Sequence, residues 1–155
     1  MSSRRLVRSL AMAVFVAVLV TACGGSSPTT SGGNKVKRLA FFGFSAANSF
    51  AQATWAGVQE EAKKNNVETK FFDPNFDSTK QVAQIQDAIT SGQYQVFVVQ
   101  SNDGNAVVPP IKDAIKAGIT VVGEFTPIGP RYDTIEPQVP GLIAIARVGA
   151  RQPRI

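Results

Sequence analysis

An apolar run of strand length followed by a run with helical apolar spacing recurs about every thirty residues from Val36 onward, and few folds accommodate that recurrence. The first run is Lys37 to Phe44. The stretch after it places Ala51, Trp55, Val58 and Ala62 on one face of a helix, with Asn65-Asn66 as its stop. Val67 to Phe72 reads as a second strand. Ser78-Thr-Lys-Gln81 has the form of a capping box opening a second helix, whose stripe is Val82, Ile85, Ala88 and Ile89 and whose end is Gly92. Tyr94 to Val99 is apolar throughout, as a strand covered on both faces would be. A third helix carries Val107, Ile111, Ala114 and Ile115, with Pro109-Pro110 in its first turn, where a missing N–H costs little. Ile119 to Gly123 and Gly141 to Ala146 supply two further strands. Such alternation predicts an α/β fold: a doubly wound three-layer sandwich around a mainly parallel sheet.

Composition then removes function classes. The 155 residues contain no histidine, so neither a Ser-His-Asp arrangement nor a His-ligated zinc site can be built. Cys23 is the single cysteine, which excludes an intrachain disulfide and a multi-cysteine cluster. No catalytic residue, metal or cofactor is expected. The formal charge of +5 suggests a nucleic-acid partner until the charges are placed. Arg4, Arg5 and Arg8 lie at one end and Arg147, Arg151 and Arg154 at the other. Between Cys23 and Ala146 stand 10 Lys and Arg against 11 Asp and Glu, so the body carries no basic footprint.

Residues 1–22 read as an export signal: three arginines and no acid, then the apolar run Leu10 to Val20, then small residues. Eleven apolar residues fall short of the roughly 20 needed for a spanning helix. Val20-Thr-Ala-Cys23 resembles a bacterial lipobox, with valine where leucine is usual, and the resemblance implies lipidation of Cys23. The alternative is an incidental cysteine after an ordinary signal. Residues 23–35, rich in Gly, Ser and Thr, suit a flexible tether between an anchor and a folded body at 36–146. Two or more acyl chains hold a protein stably on a membrane. The expected location is therefore the periplasm or the outer face of the cytoplasmic membrane.

In open parallel sheets ligands bind beyond the carboxyl ends of the strands, where strand order reverses. That rule selects four polar segments, SAANSF (45–50), DPNFD (73–77), QSNDGN (100–105) and EFT (124–126). None is a glycine-rich phosphate loop, which disfavours a nucleotide. The candidate ligand-binding residues are Asn48, Phe50, Asp103 and Glu124, with Gln100 and Asn102. Amides and carboxylates partner hydroxyls at fixed angles, and an aromatic face covers the C–H side of a sugar ring, so the set suits a small neutral polyhydroxylated ligand. Each has a plainer alternative: Asn48 as a helix cap, Phe50 as a core residue, Asp103 as a turn cap, Glu124 as a solvated strand end. Trp55 reads as core, and Asp73 and Asp77 as loop or cap residues.

With a strand leading to N-S-F, then W-A-G-V-Q-E-E-A, Q-V-A-Q-I-Q-D-A-I-T-S-G and N-D-G-N-A-V-V-P-P-I-K-D-A-I-K-A-G-I-T-V-V, residues 37–145 resemble the amino-terminal lobe of periplasmic sugar-binding proteins of ABC transporters, the type I or ribose-binding class. The resemblance implies sugar contacts from Asn48 and Phe50 in the first loop and Asp103 in the third. Glu124 stands where the family usually has aspartate, and Ala51 where ribose-type members often carry an aromatic. It further implies a membrane permease as partner and binding without catalysis. The family has two lobes, and this length accommodates one, so the basic tail 147–155 reads as a shifted frame or truncated end. Two rival readings follow: an inert fragment without transport activity, and a ligand-sensing subunit for a membrane receptor.

Overall fold

The computed structural model of the chain describes residues 35–134 and 136–145. The export signal, Cys23, nearly all of the tether and the tail 147–155 lie outside the described residues.

Five strands form one parallel sheet: β1 (Arg38–Phe42), β2 (Glu68–Phe72), β3 (Val96–Val99), β4 (Thr120–Glu124) and β5 (Ile143–Ile145), in the spatial order β2-β1-β3-β4-β5. The chain runs from β1 outward to β2 and then crosses back over β1 to β3, so the order reverses between β1 and β3. Phe42 is level with Phe72 on one side and Val99 on the other, and Val99 with Gly123, which brings four strands to their carboxyl ends together.

Three helices connect the first four strands: α1 (Ser49–Lys64), α2 (Ser78–Ser91) and α3 (Val108–Lys116). The side-chain alternation of the strands divides the sheet into two faces. Ala40, Phe42, Phe97, Val99 and Val121 bury against Ile85 and Ala88 of α2 and against Ile111 and Ala114 of α3. On the opposite face Phe41 meets Trp55 of α1 with ring centroids 5.5 Å apart, and Phe71 meets Trp55 at 5.6 Å. Trp55 is thus a packing residue, half-buried rather than fully enclosed.

The helix ends follow the local chemistry with one exception. Asn48 caps α1 by accepting from the Ala51 N–H at 2.8 Å, and Lys63 and Lys64 sit in the last turn, where cations oppose the helix dipole. Gly92 takes the left-handed conformation (φ 61°) that closes α2. The expected capping box at Ser78 does not form. Asp77 is the cap instead, its carboxylate accepting from the Lys80 N–H at 3.0 Å, and Ser78 is already helical. Gln81 turns inward: its Nε2 donates to the carbonyls of Gly43 (3.2 Å) and Gln100 (2.9 Å), and its Oε1 accepts from the Asn102 N–H (2.9 Å). The strand-end backbone, left without ladder partners, outcompetes the helix terminus for this side chain.

No helix among the described residues is long and apolar enough to cross a membrane.

Candidate functional site

The loops that follow β1, β2, β3 and β4 meet at the carboxyl edge of the sheet and are cross-linked there by side chains. Asp73, after β2, accepts from the Ala46 N–H of the β1 loop at 3.1 Å and from the Asn75 N–H at 2.8 Å. Asn102, after β3, donates from Nδ2 to the Phe44 carbonyl at 3.4 Å. Gln81 binds β1 and β3 from below. The edge is a braced platform, and the candidate residues are distributed over it.

Asn48 sits at the first turn of α1 with its Oδ1 committed to the cap. Phe50 is not core: it is 40% exposed, and its ring lies 4.6 Å from that of Phe125. Phe125 in turn packs edge-on against Phe44, centroids 6.1 Å apart. The two aromatic side chains form an exposed wall on one side of the edge.

Asp103 is a turn cap, and more. Its Oδ1 accepts from the N–H groups of Asn105 (2.8 Å) and Ala106 (3.1 Å) and from the Tyr132 hydroxyl (3.4 Å). Convergence of all three bonds on Oδ1 leaves Oδ2 as the carboxylate's other acceptor. Tyr132 also accepts from the Gly104 N–H at 3.2 Å, and the Gly104 carbonyl accepts from the Gly129 N–H at 3.0 Å. The connection between β4 and β5 therefore straps across the β3 loop. The Gln138 amide holds that strap in shape by bonding both the N–H and the carbonyl of Arg131.

Glu124 is half-buried, not a solvated strand end. Burial pushes its carboxyl above the ordinary 4.5, an effect partly offset by the Gln100 amide that donates to it. Gln100 itself is fully buried beneath the edge, and its Oε1 has no hydrogen-bond partner. It reaches a surface ligand only through Glu124. Asn102 is half-buried between the β3 loop and the Phe44 carbonyl.

Two residues of this edge escape a reading of the sequence. Phe125 lies inside the segment EFT, but its outward display depends on a backbone turn with no compositional signature. Tyr132 lies 29 positions from Asp103, and only the tertiary path of the strap brings them together. The amino edge is different in character: an apolar groove of about 480 Å³ there is lined by Leu39, Val58, Ala62 and Val67 together with Lys35 and Val36. Its remaining lining residues, Glu61 and Asn65, join Lys35 as the polar members of a mostly apolar surface. Among the described residues no group of His, Cys, Asp and Glu is placed to hold a metal ion.

A parallel sheet of order 2-1-3-4-5 with polar loops converging at its switch point has the architecture of a small-molecule binding lobe. Residues 39–146 match the family described as periplasmic binding protein domain, and the chain belongs to that family. It is 27% identical over 109 residues to the ribose import binding protein RbsB of Bacillus subtilis (strain 168), covering 67% of this chain and 35% of that protein. Its fold is similar to an ABC transporter solute-binding protein from Burkholderia multivorans, with TM-score 0.54 and 28% identity, covering 61% of this chain and 34% of the other. A myo-inositol binding protein from Caulobacter shares the fold at TM-score 0.56 and 23% identity, with 63% and 32% covered. The chain spans about a third of the length of these relatives. The family is one of solute-binding proteins rather than enzymes.

Proposed function

We propose that this chain is the substrate-binding lipoprotein of an ABC-type sugar importer, in the form of the amino-terminal lobe, and that it holds a small neutral sugar at the carboxyl edge of the sheet. The observation that carries the reading is the convergence at one edge of an exposed aromatic wall, Phe50 with Phe125, and two carboxylates, Asp103 and Glu124, on a platform cross-braced by hydrogen bonds between side chains and backbone. A pyranose or furanose has the matching duality, an apolar C–H face and a rim of hydroxyls.

In this reading Phe50 covers the sugar's C–H face. Asp103 accepts hydroxyls through Oδ2, while its Oδ1 keeps the β3 loop in shape. Glu124 accepts a hydroxyl at the switch point, with Gln100 aiming its carboxylate from below. Asn48 and Asn102 complete the polar rim from the β1 and β3 loops. The likeness to the ribose import binding protein supports sugar as the ligand class and delivery to a membrane permease as the role. Residues 1–22 then serve as the lipoprotein signal, Cys23 as the lipidated residue, 23–35 as the tether and 36–146 as the binding lobe.

Thermal stabilisation by sugars tests the reading. A ligand at 100 times its Kd stabilises the native state by about 2.7 kcal/mol. A binding lobe melts higher with at least one of D-ribose, D-glucose or myo-inositol at millimolar concentration. A chain whose melting none of these sugars moves is inert toward them, and the sugar reading fails.

A further inference from the structure

The turn that ends β4 is strained, and its strain has a directional result. The Thr126 N–H donates to the Glu124 carbonyl at 2.8 Å, closing a three-residue turn around Phe125, whose φ is +65°. This i→i+2 closure about a residue with positive φ is the rare, unfavourable hand of the γ-turn. Among the described residues four non-glycine positions have positive φ: Asn66, Asn75, Phe76 and Phe125. Asparagine tolerates that region through local hydrogen bonding, whereas a bulky aromatic gains nothing from it. A residue chosen for the turn alone would be glycine or asparagine.

Nor is Phe125 there to fill the core. It remains 37% exposed, and its aromatic neighbours are Phe44 and the equally exposed Phe50. The turn instead sets its ring beside Phe50 at 4.6 Å, immediately after Glu124 in sequence. One ring alone offers a patch that any apolar group can touch. Two adjacent rings tilted 47° to each other, one of them directly following the half-buried Glu124 in the chain, offer an angled wall, which a rigid ring bearing C–H bonds on one face and hydroxyls at its margin matches better than a flexible chain. A flexible polyol would have to freeze several torsions to present the same face.

We propose that Phe125 is a specificity-determining residue, held out by the strained turn so that the Phe50–Phe125 wall selects ring-closed polyols, pyranoses or cyclitols, over open-chain ones. This rests on the sugar-binding reading and deepens it.

The test compares wild type with Phe125→Asn, which suits the positive φ but lacks the ring, and Phe125→Tyr, which keeps the ring. Affinities for myo-inositol and D-glucose, as ring-closed probes, are measured against sorbitol, as the open-chain probe, by titration calorimetry of the full 155-residue chain; melting of each ligand-free variant is recorded beside them. The expected result is a loss of about tenfold or more toward the ring-closed probes in Phe125→Asn. Sorbitol binding should change little, ligand-free melting should stay level or rise, and Phe125→Tyr should restore the ring preference. Equal affinities in wild type and Phe125→Asn, or equal losses toward ring-closed and open-chain probes, overturn the proposal. So does a fall in ligand-free melting of several degrees, which would make Phe125 a packing residue. If wild type binds none of the three probes, the sugar reading fails and this proposal with it.

Discussion

The Gln100 side-chain amide donates to the Glu124 carboxylate across 2.5 Å, joining the carboxyl ends of β3 and β4 through side chains just beyond the paired Val99 and Gly123. Gln100 is fully buried and Glu124 half-buried, so the pair forms a step from the interior to the carboxyl edge of the sheet. Burial raises the Glu124 pKa above 4.5, which fixes the sign of a pH effect. The ionised form is penalised in the folded state only. The penalty is fully present above the folded pKa and absent below the unfolded value, so this group's contribution to stability improves as pH falls through that window toward 4.5. Glu124→Gln removes the titration. Denaturation of the two proteins as a function of pH should show the substituted chain gaining relative stability above the window and the two curves converging below it. A constant difference at every pH would mean that Glu124 does not sense its burial.

Gln81 makes three hydrogen bonds from a fully buried side chain, two of them to strand-end carbonyls. Gln81→Leu is similar in bulk but leaves the Gly43 and Gln100 carbonyls without these partners. At about 1–3 kcal/mol for each of the two carbonyls left unsatisfied, the loss should reach about 2–6 kcal/mol in urea denaturation. A loss below about 0.5 kcal/mol, the lower end for an ordinary hydrogen bond, would show that the platform does not depend on this brace.

Tyr132 links the β4–β5 strap to both Asp103 and Gly104 through one hydroxyl. Tyr132→Phe deletes only that oxygen. The expected cost is about 0.5–1.5 kcal/mol of stability, with faster hydrogen exchange at the Gly104 amide and unchanged exchange in α1. Gly104→Ala should disturb the same contact from the other side, since a Cβ there would run into the Pro127 carbonyl oxygen. Unaltered exchange at residue 104 in Tyr132→Phe would detach the strap from the site.

Cys23 bears on location rather than fold. If the lipoprotein signal operates, cells fed a radiolabelled fatty acid should label the wild-type chain and not Cys23→Ser, and the substituted chain should leave the membrane fraction. Equal labelling of both would assign the lipid elsewhere.

The strands and helices were legible because burial on a parallel sheet imposes apolar runs and helical stripes that the sequence displays openly, as in Tyr94 to Val99 and in Ala51, Trp55, Val58 and Ala62. The switch point was legible as well, since strand order places the β1 and β3 loops together wherever the family pattern holds. Legibility ended where one side chain had two local uses. Ser78 and Gln81 satisfy the capping-box spacing, yet Asp77 takes the cap and Gln81 goes to the carbonyls of Gly43 and Gln100. Asn48 and Asp103 are caps and edge residues at once, and sequence spacing cannot separate those roles. By position Gln100 reads as an edge residue, but its side chain is fully buried beneath the edge. Phe125 and Tyr132 were illegible for another reason: a strained φ and a contact 29 residues long leave no periodic trace.

Whether the carboxyl edge binds a small neutral sugar is tested by calorimetric titration of the wild-type chain and of Asp103→Asn with D-ribose and myo-inositol. Asparagine retains the Oδ1 that caps the β3 loop and replaces the second carboxylate oxygen with an amide. Wild type should bind at least one of the two sugars saturably, and Asp103→Asn should lose about tenfold or more in affinity while melting at nearly the wild-type temperature. Wild type that binds neither sugar, or Asp103→Asn that binds as tightly as wild type, would contradict sugar binding at this edge.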